Sequence, residues 1–555
     1  MPPSLATTKM KDLSKGMKDM ANMILLKNRV GSVSLGLIFG LSVSACDSLL
    51  EVDLPHLLTD AAIQDQGTAE VQVNSAIALF ECGYTALGLT AMGHEGLMES
   101  EAGVFGGGHI YDASADTGTC DSSTQSRAWF DQVMGARALL STDPARLVPG
   151  AMGAGRGVYD RMQDEWSNVA GGERLSAIAS IYMAATLTHL GEFLCEIALD
   201  GSDLLTPNDV LGVAESWVTT AIGHISSTGA FAMPFGIASD ATLMATSIRA
   251  RARWLKGDLA GANADASTVL AADPAFNVWV TRENGATRRN KIYLTATAIA
   301  FSRQLGINNT WNGPIRQPNP ATGLKWPTTI PFTGYLFLGV MPDGRALEVG
   351  NTPVVWADEG VIGQSARDSN GNPVSLGNGA VEDKRTLHFE TTVQGSGLVE
   401  VPARYTAEDE DVPYMTWEEL RFIQADYDRS VGNLQGAVDK VNTLRTAHDV
   451  PLISGAYLAT LLASTTETRY MLLEERRREF YAEGGRFWST KIQNTDLLWF
   501  PRGEGQTSNN FYNWAGGVRM HMPNSEYDQN PKFIARGGRD ARGTGCGAAQ
   551  APFIN

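Results

Sequence analysis

IRARARWLKGDLAGANADASTVLAADP (248–274) and IQADYDRSVGNLQGAVDKVNTLRTAHDVP (423–451) are two versions of one pattern. In each, a glycine stands nine positions after the opening isoleucine, at Gly257 and Gly432, and begins a turn of the form G-[DN]-L-x-G-A. An amphipathic run precedes the turn, and a second one follows it and stops near a proline. The spacing predicts two antiparallel helices joined by a tight glycine turn. Small alanine positions lie where the helices must approach closely, because an antiparallel pair packs tightly only if one face is small.

This is the physical recipe of a tetratricopeptide unit, in which stacked helix pairs bury a core that one pair cannot bury alone. Residues 174–199 with 209–225 read as a looser further copy, with Ile178, Ile181, Ala185 and Leu194 on one side of the first helix and Val213, Trp217 and Ile222 turned inward on the second. Helices are also expected over 68–89 and 159–169, separated by a glycine-rich stretch at 93–118. Residues 306–412 have poor periodicity and much Gly, Pro, Asn and Asp. Short β-leaning runs occur there at 335–340, 353–356 and 387–392. Loops and short strands are expected in that region, and loops again after Leu498. The expected fold is therefore mainly α: a tetratricopeptide-like helical-hairpin scaffold over about 60–305 and 413–495, decorated by long loops and short β-strands over about 306–412 and 496–555.

The remaining composition bounds the function. The 555 residues carry 44 Lys+Arg against 61 Asp+Glu, a net charge of −17, which speaks against nucleic acid as a partner. Val30–Val43, VGSVSLGLIFGLSV, is apolar, follows Lys27 and Arg29, and runs into Ser44-Ala45-Cys46. Fourteen residues fall short of the roughly 20 that span a bilayer and suit the core of a secretion signal. Small residues leading straight into a cysteine resemble the lipobox of bacterial lipoproteins. Residues 1–45 are thus expected to be a cleaved signal peptide and Cys46 the lipidated residue, with translation starting at Met17, Met20 or Met23. Removing 1–45, whose six basic residues exceed Asp12 and Asp19 by four, leaves a mature charge of −21. So acidic a body would be held to a membrane by acyl chains rather than by a basic patch.

Cys82, Cys120, Cys195 and Cys546 are too widely spaced for a zinc motif; in an exported protein they permit disulfides, with three pairings open if two form. His94-Glu95 has no second histidine at H-E-x-x-H spacing, and the eight histidines show no metal-like cluster. No G-x-S-x-G, phosphate loop or dinucleotide fingerprint occurs in the right context. Neither a catalytic residue, a metal nor a cofactor is expected.

Four segments carry a family resemblance. Cys46-Asp47-Ser48-Leu49-Leu50-Glu51-Val52 looks like the acylated opening of the SusD/RagB family of outer-membrane lipoproteins. Glu475–Arg486, ERRREFYAEGGR, is similar to that family's most recognisable stretch. Glu419–Pro451, with Asn442 and Arg445, matches the helical hairpin before it, and Met522-Pro523 with Asn530-Pro531 resembles its closing motif. The likeness covers Cys46 to about Phe533, so 46–555 reads as a single SusD-like domain. Ser489 stands where the family usually has Asp, and Ala482 where Phe is common. The resemblance implies a surface-exposed outer-membrane protein that binds an oligosaccharide or peptide. It would deliver that ligand to a partner SusC-like TonB-dependent transporter.

Within the E-R-R stretch, Glu475, Glu479 and Glu483 fall at i, i+4 and i+8, with Arg478 and Arg486 three residues after a Glu. Such charges support each other along a helix, and Leu473, Phe480 and Phe487 would face a core. Carboxylates set among arginines have depressed pKa values, the wrong direction for a glycosidase acid. Glycan binding needs exposed aromatic platforms, since sugar rings present an apolar face. Following the family's ligand regions, the candidates are Tyr111, Trp129, Trp311, Trp326, Tyr335 and Trp356. The −21 body favours a neutral oligosaccharide over a sulfated or uronic polymer. The rival readings are a periplasmic tetratricopeptide-type scaffold lipoprotein and an outer-membrane glycosidase.

Overall fold

The computed structural model describes residues 63–99, 129–146, 155–284, 288–290, 293, 362–367, 381–393, 397–402, 404–450, 452–480, 483, 486–494, 519, 522–541 and 544. The first helix, α1 (Ala69–Glu99), runs ten residues past the expected Leu89. Glycines at 93 and 96 cost about 1 kcal/mol each in a helix interior, too little to end a segment of this length. Next come α2 (Trp129–Leu140), α3 (Val158–Asp164) and α4 (Gly172–Phe193).

Two of these helices stop short of expectation. The α3 helix ends at Asp164 rather than Val169, where the Trp166 amide bonds the Arg161 carbonyl in a wide closing turn. The α4 helix ends at Phe193 rather than Leu199. There Leu194 turns extended, and Ile197 and Leu205 exchange two backbone hydrogen bonds across a turn at Asp200 and Gly201. Asp200 holds the left-handed backbone (φ 48°), and its carboxylate receives both Nη atoms of the buried Arg137, at 2.8 and 2.6 Å. Ile178, Ile181, Ala185 and Leu194 are all buried.

The partner of α4 is α5 (Pro207–Thr228), started by the reciprocal bonds of Thr206 and Asp209 and by proline at its first turn. Trp217 is buried on it, while Val213 and Ile222 are partly buried against the core. The first quoted stretch forms α6 (Ala241–Lys256) and α7 (Leu259–Ala272), followed by β1 (Asn277–Val280). Strands β2 (Ile362–Arg367), β3 (Val381–Val393) and β4 (Gly397–Pro402) form one small sheet, with β3 parallel to β2 and antiparallel to β4. The β-leaning run at 387–392 lies in β3. The runs at 335–340 and 353–356 lie outside the described residues. β5 (Val412–Thr416) pairs antiparallel with β1 and leads directly into the second quoted stretch, α8 (Trp417–Ser430) and α9 (Leu434–Ala447).

Each letter of the shared turn has a physical role. Gly257 and Gly432 end the first helix of each pair in the left-handed conformation, at φ 82° and 81°. Asp258 and Asn433 cap the second helix by accepting from the amides of Gly261 and Gly436, at 2.9 and 3.2 Å. Ala262 and Ala437 are fully buried where the helices meet.

The chain continues through α10 (Gly455–Leu462), α11 (Thr465–Glu479), α12 (Arg486–Gln493), α13 (Asn524–Gln529) and α14 (Pro531–Arg536). The last two lie in a region read as loop. Their start signals are local rather than periodic: proline at the first turn of α14 and an Asn530 side chain bonded to the Lys532 amide. The chain divides into two units, Met1–Gln64 and Asp65–Asn555, and all the elements named here belong to the second. No described helix is long and apolar enough to cross a membrane.

The main core is built from α1 to α7 with β1, β5 and one face of α8, while the other face of α8 joins α9, α10 and α11 in a second cluster. The contact of α1 with α2 depends on Gly83. A Cβ there would stand 2.6 Å from Val133 Cγ2 and 2.9 Å from the Trp129 carbonyl oxygen. Gly83→Ala should therefore cost about 1–3 kcal/mol through overpacking. Denaturant unfolding reads this directly, and an unchanged midpoint would show that the two helices can part.

Candidate functional site

The E-R-R stretch does not form the ladder of charges along one helix that its spacing suggests. α11 stops at Glu479, with Phe480 as its C-cap, and Glu475, Arg476, Arg478, Glu479, Glu483 and Arg486 are all buried. Leu473 and Phe480 are buried with them. The charges find their main partners on other elements. Glu475 Oε1 accepts from Arg445 Nη2 and Nε of α9, at 2.7 and 3.2 Å, and its Oε2 from Arg385 Nη1 of β3 at 2.8 Å. Glu479 meets His448 Nε2 at 2.8 Å, with Arg385 Nη1 3.4 Å from its other oxygen. Glu483 pairs with Arg404.

A second layer lies beside the first. Glu419, in the first turn of α8, accepts from Arg251 Nε and Nη2 of α6, at 2.8 and 2.6 Å, and from Arg486 Nη1 of α12 at 2.8 Å. Both arginines also donate to the Tyr414 carbonyl of β5. Burial pushes the Glu419 carboxyl up, but the two guanidinium groups outweigh it and hold the pKa below the ordinary value. Arg476 lies over the Trp254 ring, 4.2 Å from its centroid, and donates Nε to Thr490. Helical periodicity reports which residues share a face, not whether opposite charges wait on a neighbouring element. That is why these groups read as partners of one another along a single helix.

Ser489 bonds the buried Glu192, whose carboxyl is raised by burial. An aspartate at 489 would set a second carboxylate against it, which gives a physical reason for serine at this position.

The aromatic candidates are placed unevenly. Tyr111, Trp311, Trp326, Tyr335, Trp356 and the lipidation candidate Cys46 lie outside the described residues. Trp129 is no platform: it is the first residue of α2, 0% exposed, with its ring edge-on to Phe130 and His189. It read as a loop residue because of its polar neighbours, whereas the approach of α1 to α2 closes over it. One exposed aromatic escaped notice. Phe235 is 55% exposed and holds φ 59° in the turn Pro234-Phe235-Gly236. The Pro-x-Gly pattern around an aromatic was its available signal.

Cys82 and Cys195 are both disulfide-bonded, while Cys120 and Cys546 lie outside the described residues. Metal-type ligands also meet, contrary to the sequence expectation. Glu418, His448 and Glu479 bring ligating atoms within 4.8 Å of one another. They come from three helices and are about thirty residues apart in the chain, so no short motif announces them.

No family model matches the chain, and no curated protein matches it. Solved structures do. One from Parabacteroides distasonis, described as a SusD superfamily protein, is 10% identical with a TM-score of 0.48 and covers 84% of this chain and 97% of its own. A SusD superfamily protein from Bacteroides thetaiotaomicron is 11% identical, with a TM-score of 0.47 and coverage of 84% and 98%. A third, described as a laminarin-binding SusD-like protein, is 11% identical, with a TM-score of 0.44 and coverage of 84% and 97%.

Proposed function

We propose that this chain is a SusD/RagB-type lipoprotein, tethered through Cys46 to the outer face of an outer membrane, that captures an oligosaccharide and passes it to a SusC-like TonB-dependent transporter. The observation that carries this reading is the use to which the E-R-R motif is put. Glu475, Glu479 and Glu483 each pair with a basic side chain thirty or more residues away in the chain, and Arg486 reaches Glu419 of α8. Charges held in this way lock helical hairpins together; they supply neither a proton donor nor a free nucleophile for glycoside hydrolysis. Ligand capture then falls to loops carried on a stiff scaffold.

Two further features support the reading. Disulfide-bonded Cys82 and Cys195 suit an exported protein, because disulfides persist in oxidising compartments. The acidic body suits a neutral glycan. Delivery needs no covalent step: binding followed by movement at the mouth of the barrel suffices.

Pull-down of the protein extracted from membranes should recover a large β-barrel partner. Consistent recovery without one would overturn the delivery role. A glycan array probed with the full chain should show binding to neutral oligosaccharides without release of shorter products. Sustained hydrolysis would favour the glycosidase reading, and full protection from protease on intact cells would favour the periplasmic scaffold.

A further inference from the structure

We propose that Glu418, His448 and Glu479 form a binding site for one divalent transition cation of the Zn2+ class, which clamps the second helical hairpin to α11. Glu418 lies in the first turn of α8, His448 is the C-cap of α9, and Glu479 is the last residue of α11. Each contributes one ligating atom, all within 4.8 Å of one another, and His448 Nε2 stands 2.8 Å from a Glu479 oxygen. Ligands around a tetrahedral ion at ~2.0–2.2 Å are about 3.4 Å apart. The one short separation, 2.8 Å, lies below that spacing and none exceeds 4.8 Å, so small side-chain rotations would bring the three atoms onto one ion.

The surroundings favour a cation in a second way. Glu418 makes no ion pair with Arg or Lys among the described residues, yet it sits beside the like charge of Glu479. Glu475 and Glu479 share the Arg385 guanidinium, and Arg445 reaches Glu475. A bound cation would relieve this repulsion. Arg385 also acts as an outer-sphere support: it holds one oxygen of Glu479 and leaves the other turned to His448.

The donor set selects the ion. An imidazole with two carboxylates suits zinc and its neighbours, whereas calcium takes six to eight oxygen ligands. The His448 side chain keeps 29% of its surface accessible, which gives a route of entry and room for water as a fourth ligand. A proton on His448 is the competing occupant, since it too would neutralise Glu479.

Calorimetric titration of the chelator-stripped full chain with zinc chloride at neutral pH distinguishes the two. The expected result is one equivalent of zinc bound per chain with a rise in Tm. His448→Gln and Glu418→Gln should each weaken that binding by about tenfold or more and abolish the rise. The circular dichroism spectrum of each variant shows whether it folds, and either folded variant decides the matter alone. Absence of stoichiometric zinc binding by the wild-type chain, or unchanged binding in either folded variant, overturns the proposal. The outcome is independent of whether the protein carries glycans.

Discussion

Glu475→Gln should lower the unfolding free energy by about 3–5 kcal/mol, the range found when one partner of a buried ion pair is removed. Glu475 is 0% exposed and joins α11 to both α9 and β3 through Arg445 and Arg385. The amide keeps the shape of the side chain but withdraws its charge, so two buried guanidinium groups lose their shared carboxylate partner. Much of the loss thus comes from the poorer compensation of these buried arginines rather than from the missing attraction. Urea or guanidinium unfolding of the variant measures the effect. A second substitution, Arg445→Met, should recover part of it, because an apolar side chain of similar length removes one stranded charge. A loss below about 1 kcal/mol would place the pair with exposed salt bridges, which contribute little.

Trp129→Ala should cost a comparable amount, about 3–5 kcal/mol, because it empties a large volume from a packed core. The residue lies beneath α1, with Phe130 and His189 against its ring. On the proposed function, glycan affinity of the folded variant should remain that of the parent chain. Unchanged stability combined with lost glycan binding would instead restore Trp129 as an exposed platform. The pair of measurements separates a core role from a contact role, which a binding assay by itself does not.

Much of the helical scaffold is legible because hydrophobic period and turn chemistry are local. Gly257 and Gly432 announce their turns, since a left-handed helix end with open space around it is where glycine costs least. The ends of helices are harder to read. The α4 helix yields at Leu194 to the bridge between Ile197 and Leu205, a pairing that helix propensity does not include. The candidate site is less legible still. Trp129, expected as an exposed platform, is buried, and Phe235, which drew no expectation, is exposed, because burial depends on what folds over a residue.

The sequence alone determined the paired helices, the glycine turns, the acidic balance and the order of motifs from Cys46 to Pro531, since each depends on residues close together in the chain. Only the tertiary structure decided that the E-R-R charges are buried and paired with Arg445, Arg385 and Arg404, and that Glu418, His448 and Glu479 converge. The reason is electrostatic. A charge can leave water only when opposite charge and hydrogen bonds meet it on arrival. Those partners come from helices and strands far away in the chain, whose positions no local pattern encodes.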